Sequence, residues 1–296
     1  MTTASYIDGM SNADYHAHPS LSKSSLDRIA MSPAHYRAGY SSIGGVTARI
    51  GAAFHLLVLE GIEPVIAIDC ARRSKDDRAK WAAWMDKHGA DGEAIVEGKA
   101  ETWMPAFERE TGIVIVTPEE ADEAKRMRDS IAGNPLARDL LMDSKGVAER
   151  SLFGEIDGVP FRARPDRTLT ERAAIVDLKT CRSSARHDFR RACSSHRYHV
   201  QDIAYSTLHH QATGEWPEFW FVAVEKAKPF ACAVYRLDDA ARENGHYLMT
   251  RDLATYRACV ESGEWPGYEN DDSLDIPIYE RETFALDFGG ELTLVA

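Results

Sequence analysis

Cysteine is scarce and shows no pairing pattern. There are five in 296 residues (Cys70, Cys181, Cys193, Cys232, Cys259), an odd number with no two in C-x-x-C spacing. This gives no support to a zinc ribbon or a thioredoxin-type redox motif, and it points to reduced thiols in a cytoplasmic protein. Long apolar runs are also missing. The best, residues 112–116 and 219–224, fall far short of the roughly 18 residues that a bilayer-crossing helix requires, so no membrane association is expected. Residues 1–10 have neither a basic region nor an apolar core, so a signal peptide is not expected. Positive charge is in deficit, with 35 Lys and Arg against 47 Asp and Glu and a net charge of −12. That balance argues against nucleic-acid binding over the whole surface, since phosphate contacts need basic side chains. Apolar and aromatic residues are plentiful, at 44% and 9%. They suffice for a sizeable core and are too abundant for a disordered chain.

The positive charge that is present is concentrated. Between Arg162 and Arg197 lie ten basic residues (Arg162, Arg164, Arg167, Arg172, Lys179, Arg182, Arg186, Arg190, Arg191, Arg197) against four acids (Asp166, Glu171, Asp177, Asp188). The window therefore carries +6 and the remainder −18. A basic island in an acidic chain suggests a polyanion handled at one place. A solvated helix face of alternating charge is the competing reading.

Helix signals dominate the first half. Residues 19–30 read as a short serine-capped helix, and Ser32-Pro33 supplies an N-cap and a first-turn proline for a second helix through Tyr40. Gly44-Gly45 breaks the chain. Residues 47–60 read as a mostly apolar helix containing His55, 64–69 as a short strand, and 74–88 as an amphipathic helix with Trp81, Trp84 and Met85 on its apolar side. Residues 89–112 follow no clear pattern. Thr117 caps a helix over 118–131 whose first turn is acidic, and a short helix follows over 135–142. The texture then changes. Residues 147–154, 159–168 and 173–179 read as three consecutive strands, joined by Asp157-Gly158 and by a turn at 170–172. Helices are expected over 185–193 and 199–213, strands over 218–225 and 230–236, and a long helix over 238–261. The expected organisation is a single domain over 1–296. Its parts are a mainly helical stretch (1–145) carrying His55, a catalytic core (146–263) and an acidic arm (264–296). The fold class is α/β, with a mixed central sheet flanked by helices.

The third strand ends Val176-Asp177-Leu178-Lys179-Thr180. Alternation places Asp177 and Lys179 on one face and Leu178 on the other. Asp166 lies eleven residues upstream in Arg164-Pro165-Asp166, and a hairpin would bring the two carboxylates together at one end of the sheet, with Asp177 and Lys179 at a solvent-facing strand end. Glu149 comes from the first strand. Three carboxylates beside a lysine form an oxygen-rich site suited to Mg²⁺ or Mn²⁺, ions that activate water and stabilise charge on a phosphate. Lys179 would orient or deprotonate that water, or neutralise the phosphate. Gln201 and Tyr205, four apart, share one helix face. His55 alone reads as a core histidine. Other motifs fail: Gly92 to Lys99 misses a phosphate-binding loop in spacing and in its final hydroxyl residue, and no G-x-G-x-x-G follows a strand.

In order, Gly51-Ala-Ala-Phe-His55, Glu149, Arg164-Pro-Asp166, Asp177-Leu-Lys179 and Gln201-x-x-x-Tyr205 resemble the RecB-type branch of the PD-(D/E)XK nuclease superfamily. They look most like the exodeoxyribonuclease VIII (RecE) nuclease domain and its phage and prophage relatives. Leu21-Ser-Lys-Ser-Ser-Leu26, Ser32-Pro-Ala-His-Tyr36 and Gly263-Glu-Trp-Pro-Gly-Tyr268 are similar to that family too. The resemblance implies a restriction-endonuclease-like core. Metal ligands would be His55, Asp166, Asp177, Glu149 and the Leu178 carbonyl. Lys179, Asp177, Asp166 and Glu149 would be catalytic. Gln201 and Tyr205 would hold the site or contact DNA, and Arg164, Arg182, Arg186 and Arg190 would bind DNA. It further implies Mg²⁺, with Mn²⁺ as substitute, and 5′→3′ digestion of linear duplex ends to leave 3′ single-stranded tails for recombination. A homo-oligomeric ring, such as a tetramer, and a single-strand annealing partner are also implied. The iron–sulfur relatives need four cysteines, three of them grouped near the C-terminus, so no iron–sulfur cluster is expected. A structure-specific or single-strand endonuclease of the same fold remains an alternative. So does a non-catalytic DNA-binding or interaction module, although the five residues whose loss would mark decay are all present.

Overall fold

The computed structural model describes residues 4–39, 46–61, 66–67, 75–87, 114–268, 284–286 and 292–294. Its helices begin where hydroxyl and carboxylate caps stand. A short strand β1 (Ser5–Ile7) and helix α1 (Asn12–Ala17) precede α2 (Lys23–Met31), which Ser22 caps through a reciprocal box with Ser25. Ser32 ends α2 and caps α3 (Pro33–Ala38), with Pro33 in its first turn, where its missing N–H costs nothing. Helix α4 (Val46–His55) runs into a π-helical turn (Leu56–Glu60) closed by Gly61 in the left-handed region. β2 (Ile66–Ala67), α5 (Lys75–Lys87) and β3 (Ile115–Val116) follow, β2 and β3 pairing in parallel. Thr117 and Glu120 form a second capping box at α6 (Pro118–Gly133), and α7 (Pro135–Arg138) continues into a π turn (Asp139–Asp143).

Two sheets organise the rest. The larger has the order β10–β9–β8–β7–β4, built from β4 (Gly146–Ala148), β7 (Arg167–Leu169), β8 (Ala174–Cys181), β9 (Glu218–Glu225) and β10 (Cys232–Tyr235). Only β8 and β9 run parallel, so the sheet is mixed. The smaller sheet places β1 beside β5 (Ser151–Ile156) and β6 (Val159–Ala163). Helices α8 (Arg186–Ser195), α9 (Tyr198–Thr213) and α10 (Asp239–Ser262) complete the core, the last capped by Asp238.

The expectation of three continuous strands is corrected here. The first two each break and change sheets, at Glu149-Arg150 and at Arg164-Pro165-Asp166, so the hairpin belongs to one sheet at its tip and to the other at its base. Proline has no N–H for a ladder, and Glu149 takes a positive φ of 50°, which together bend the pair. One backbone bond, Glu149 N–H to the Asp166 carbonyl (3.1 Å), spans the bend.

The central strand β8 is covered on both faces. Val176 and Leu178 pack with Phe54, Met127, Val222 and Val224 on the α4 and α6 side, while Ile175 packs with Phe189, Phe219 and Phe221 on the α8 side. A third cluster fills the space between the small sheet, α2, α9 and α10. Among the described residues, no helix is long and apolar enough to cross a membrane. The expected strand over 64–69 is described only as Ile66–Ala67. Tyr40, Gly44-Gly45, Cys70, residues 89–112 and the side chains of Trp81 and Met85 lie outside the described residues. So does most of the acidic segment after Tyr268, where Phe284–Leu286 pairs antiparallel with Leu292–Leu294.

Candidate active site

The bend between the sheets creates the site. β7 starts only at Arg167, opposite Val176. One step along that register sets Asp166 against Asp177, and the next sets Pro165 against Leu178. Proline cannot donate to the Leu178 carbonyl, so the polar groups of Leu178 turn to side chains. Its N–H donates to Asp166 Oδ2 (2.6 Å), and its backbone hydrogen-bonds the His55 ring. In this way β8 and the end of α4 are joined at the place where the ladder stops. Gly51, one turn earlier on α4, lies so close to β8 that a Cβ there would touch the Thr180 hydroxyl at 3.5 Å.

His55, Glu149 and Asp166 each offer a ligand atom, and these atoms lie within 4.8 Å of one another. His55 Nδ1 stands 3.9 Å from Asp166 Oδ2. Burial, aided by the Lys179 ammonium, pulls the His55 pKa down to about 4, so the imidazole is neutral near pH 7 and keeps a lone pair for a cation. Burial, with Glu60 and Asp177 nearby, pushes Glu149 up to about 7 despite the opposing Arg164. Burial, Asp177 and Glu149 together hold Asp166 well above the usual carboxylate range. Carboxylates crowded out of water disfavour ionisation unless a cation joins them. Asp177 Oδ2 is buried 2.6 Å from Lys179 Nζ. The donor set, mostly carboxylate oxygen, fits Mg²⁺ or Mn²⁺.

Asp177 is only 1% exposed, so the expectation of a solvent-facing strand end is corrected. It stands outside the mutually close donors, with Lys179 and Gln201 as its partners. Gln201 Nε2 donates to Asp177 Oδ1 while Gln201 Oε1 accepts from Lys179 Nζ (3.1 Å), so one buried amide holds both. Burial works to lower Lys179, but the Asp177 and Asp166 carboxylates outweigh it and raise the lysine above its ordinary value. Its ammonium lies over the Tyr198 ring, 4.6 Å from the centroid. Burial, then Tyr15, Asp177 and Asp166, raises the Tyr205 phenol well above its usual range, opposed by a hydrogen bond with the Arg164 backbone.

The residues expected to hold the site or contact DNA have internal partners. Gln201 is buried with both ends of its amide engaged. Tyr205 packs among core residues. The Arg164 guanidinium is occupied by Ser151 Oγ (2.7 Å), Asn12 Oδ1 (3.3 Å), the Met10 carbonyl (3.0 Å) and the Tyr15 ring (4.1 Å). Gln201 and Arg164 are thus engaged inside the protein, and Tyr205 is half-buried. The basic island divides accordingly. Arg162, Arg167, Arg172 and Arg197 also serve internal contacts. Arg182, Arg186, Arg190 and Arg191 stand exposed, with no ion pair to any other described residue, on α8 and the loop before it. Tyr198 and Lys23, which lies near it, were not singled out from sequence. Lys23 sits inside a quoted motif, whereas nothing local marks Tyr198, because it reaches Lys179 from a different element.

A mixed sheet whose central strand carries Asp177-x-Lys179 near its end, with Pro165-Asp166 at the bend leading into the adjoining strand and flanking helices, is the PD-(D/E)XK nuclease fold. The chain belongs to the family described as a PDDEXK-like domain of unknown function (DUF3799), which matches residues 97–275. That span includes Glu149, Asp166, Asp177, Lys179, Gln201 and Tyr205 but not His55. Among solved structures, a candidate exonuclease from Eubacterium rectale is similar in fold. Its TM-score is 0.58 at 14% identity, over 91% of this chain and 96% of that one. A phage-related exonuclease from Haemophilus somnus 129PT (12% identity, 84% and 98% covered, TM-score 0.32) matches only loosely. The same holds for an alkaline exonuclease from Laribacter hongkongensis (14%, 73% and 93%, TM-score 0.27). No curated protein matches the chain.

Proposed function

We propose that this protein is a divalent-metal-dependent DNA exonuclease that acts 5′→3′ on linear duplex ends and leaves 3′ single-stranded tails for recombination. The observation that carries this reading is the cluster of His55, Glu149 and Asp166 donors beside Asp177 and Lys179 at the bend between sheets. His55, Glu149 and Asp166 would hold Mg²⁺, or Mn²⁺ in its place, with Asp177 and the Leu178 carbonyl next to them. A bound ion supplies a polarised water and counter-charge for the scissile phosphate. The Asp177 and Asp166 carboxylates raise the Lys179 pKa, which favours a part in orienting the water and neutralising the phosphate. Gln201 fixes the distance between Lys179 and Asp177, and Tyr205 with Arg164 braces the bend that carries Asp166. Arg182, Arg186, Arg190 and Arg191 would meet the flanking DNA phosphates. The same reading implies action in the cytoplasm, a homo-oligomeric ring such as a tetramer around DNA, and a single-strand annealing partner.

The test is digestion of one linear duplex, labelled separately at its 5′ and 3′ ends, beside its closed circle, with Mg²⁺ and with EDTA. Early Mg²⁺-dependent release of the 5′ label, an untouched circle and silence of Lys179→Ala are expected. Cutting of the circle would turn the reading to an endonuclease. Inertness on both substrates in a folded, Mn²⁺-binding protein would favour a binding module.

A further inference from the structure

Lys23 opens α2, far from the D-x-K strand in sequence, yet its ammonium lies over the same aromatic ring as that of Lys179. The Lys23 nitrogen is 5.9 Å and the Lys179 nitrogen 4.6 Å from the Tyr198 centroid. Tyr198 is held in place by rings on several sides. It stacks on Phe221 (5.7 Å between centroids) and on His196 (5.5 Å), with Phe189 alongside. The Lys23 side chain is 15% exposed, pairs with Asp27 (2.7 Å) and donates to the His196 carbonyl (2.5 Å), just beyond the end of α8. It therefore ties the start of α2 to the end of α8, the helix whose outer face carries the arginines that pair with no other described residue.

The local charge is unbalanced. Asp27 also serves Arg197 (3.4 Å), and Arg197 shares Asp252 with Arg251. Among the described residues, three cations thus lean on two carboxylates, leaving one positive charge over. Lys179 is already matched to Asp177. A strand whose scissile phosphate lies at Lys179 would bring a neighbouring phosphate toward this excess charge, and a lysine with three donors and two fixed partners still has one N–H to give.

We propose that Lys23 is a further substrate-contacting residue, which takes the phosphate next to the scissile one on the same strand while Tyr198 keeps Lys23 and Lys179 at a fixed separation. This rests on the nuclease reading and adds where the cleaved strand runs: across Tyr198, from the D-x-K strand toward the end of α8.

The experiment compares wild type, Lys23→Met and Lys23→Arg on a short blunt duplex. Binding is measured in EDTA across a salt series, and steady-state cleavage is measured with Mg²⁺. In Lys23→Met the slope of log affinity against log salt should fall by about 0.9, one phosphate's share. KM should rise about tenfold, with kcat within about twofold. Lys23→Arg should stay close to wild type. The melting temperature should hold, because Asp27 keeps Arg197. An unchanged slope and KM in Lys23→Met, beside an active wild type, overturns the inference alone. So does a fall in kcat and melting temperature with no change in slope, which marks a structural role. Wild-type protein that neither binds nor cuts the duplex overturns the nuclease reading and this inference with it.

Discussion

His55 and Glu149 face each other across the site with pKa values displaced in opposite directions by the same cause, removal from water. Glu149 rises from 4.5 to about 7 in the fold, so the stability it contributes is full below 4.5 and is lost as pH climbs through 7. His55 falls from 6.5 to about 4, so its contribution is full above 6.5 and fades as pH drops through 4. A divalent ion needs the carboxylates ionised, and it therefore offsets the loss on the alkaline side. The melting-temperature gain on adding Mn²⁺ should accordingly be larger at pH 8 than at pH 6. Glu149→Gln should raise the melting temperature of the metal-free protein at pH 8 while weakening Mn²⁺ binding by tenfold or more. A gain that is the same at both pH values would remove Glu149 from the ligand set.

Elements matter here for how closely they approach. α9 carries Gln201 and Tyr205 on the side facing the site and lies against α10 on another. That second contact depends on Gly245, where a Cβ would fall on the His199 carbonyl. Backbone cannot yield as a side-chain tip can, so Gly245→Ala should force the two helices apart. A cost of about 3 kcal/mol, at the upper end of overpacking effects, is expected by denaturant unfolding. Any variant that still folds should lose activity, because Gln201 moves with the helix. A stability change within about 0.5 kcal/mol would show that the helix pair tolerates separation. His209 tells a related story: Tyr6 from β1 hydrogen-bonds its Nδ1 (2.6 Å), tying the first strand to α9.

At the scale of the molecule, charge is sorted. Six of the ten cations in the basic island are taken up by internal contacts, and four remain exposed on one helix and its leading loop. A net charge of −12 repels DNA in general, and on the proposed reading that face is where DNA would approach. Replacing Arg186, Arg190 and Arg191 together with Gln should flatten the salt dependence of duplex binding by roughly one unit per lost phosphate contact. Folding should be unaffected, since none of the three pairs with another described residue. A slope equal to wild type would reduce the island to a solvated surface. Arg164→Gln should act otherwise, lowering thermal stability because its guanidinium joins the first residues of the chain to the small sheet.

Local chemistry was sufficient for much of this. Ser32 and Thr117 satisfy orphan N–H groups whatever the chain does elsewhere, so those two helix starts could be read from them directly. Period-two alternation likewise placed Asp177 and Lys179 on one face of their strand. The bend was harder to see. Pro165 signalled an interrupted ladder, but the apolar pattern continues on both sides of it, and only the second sheet shows where each half pairs. Tertiary structure alone decided that His55, on an apolar helix that reads as core, ends beside Asp166, and that Lys23 and Tyr198 arrive from elsewhere at Lys179. It also decided which arginines are consumed inside the fold. Side-chain identity and spacing set what a segment can form by itself. Contacts between segments far apart in sequence depend on register and approach, which no local pattern encodes.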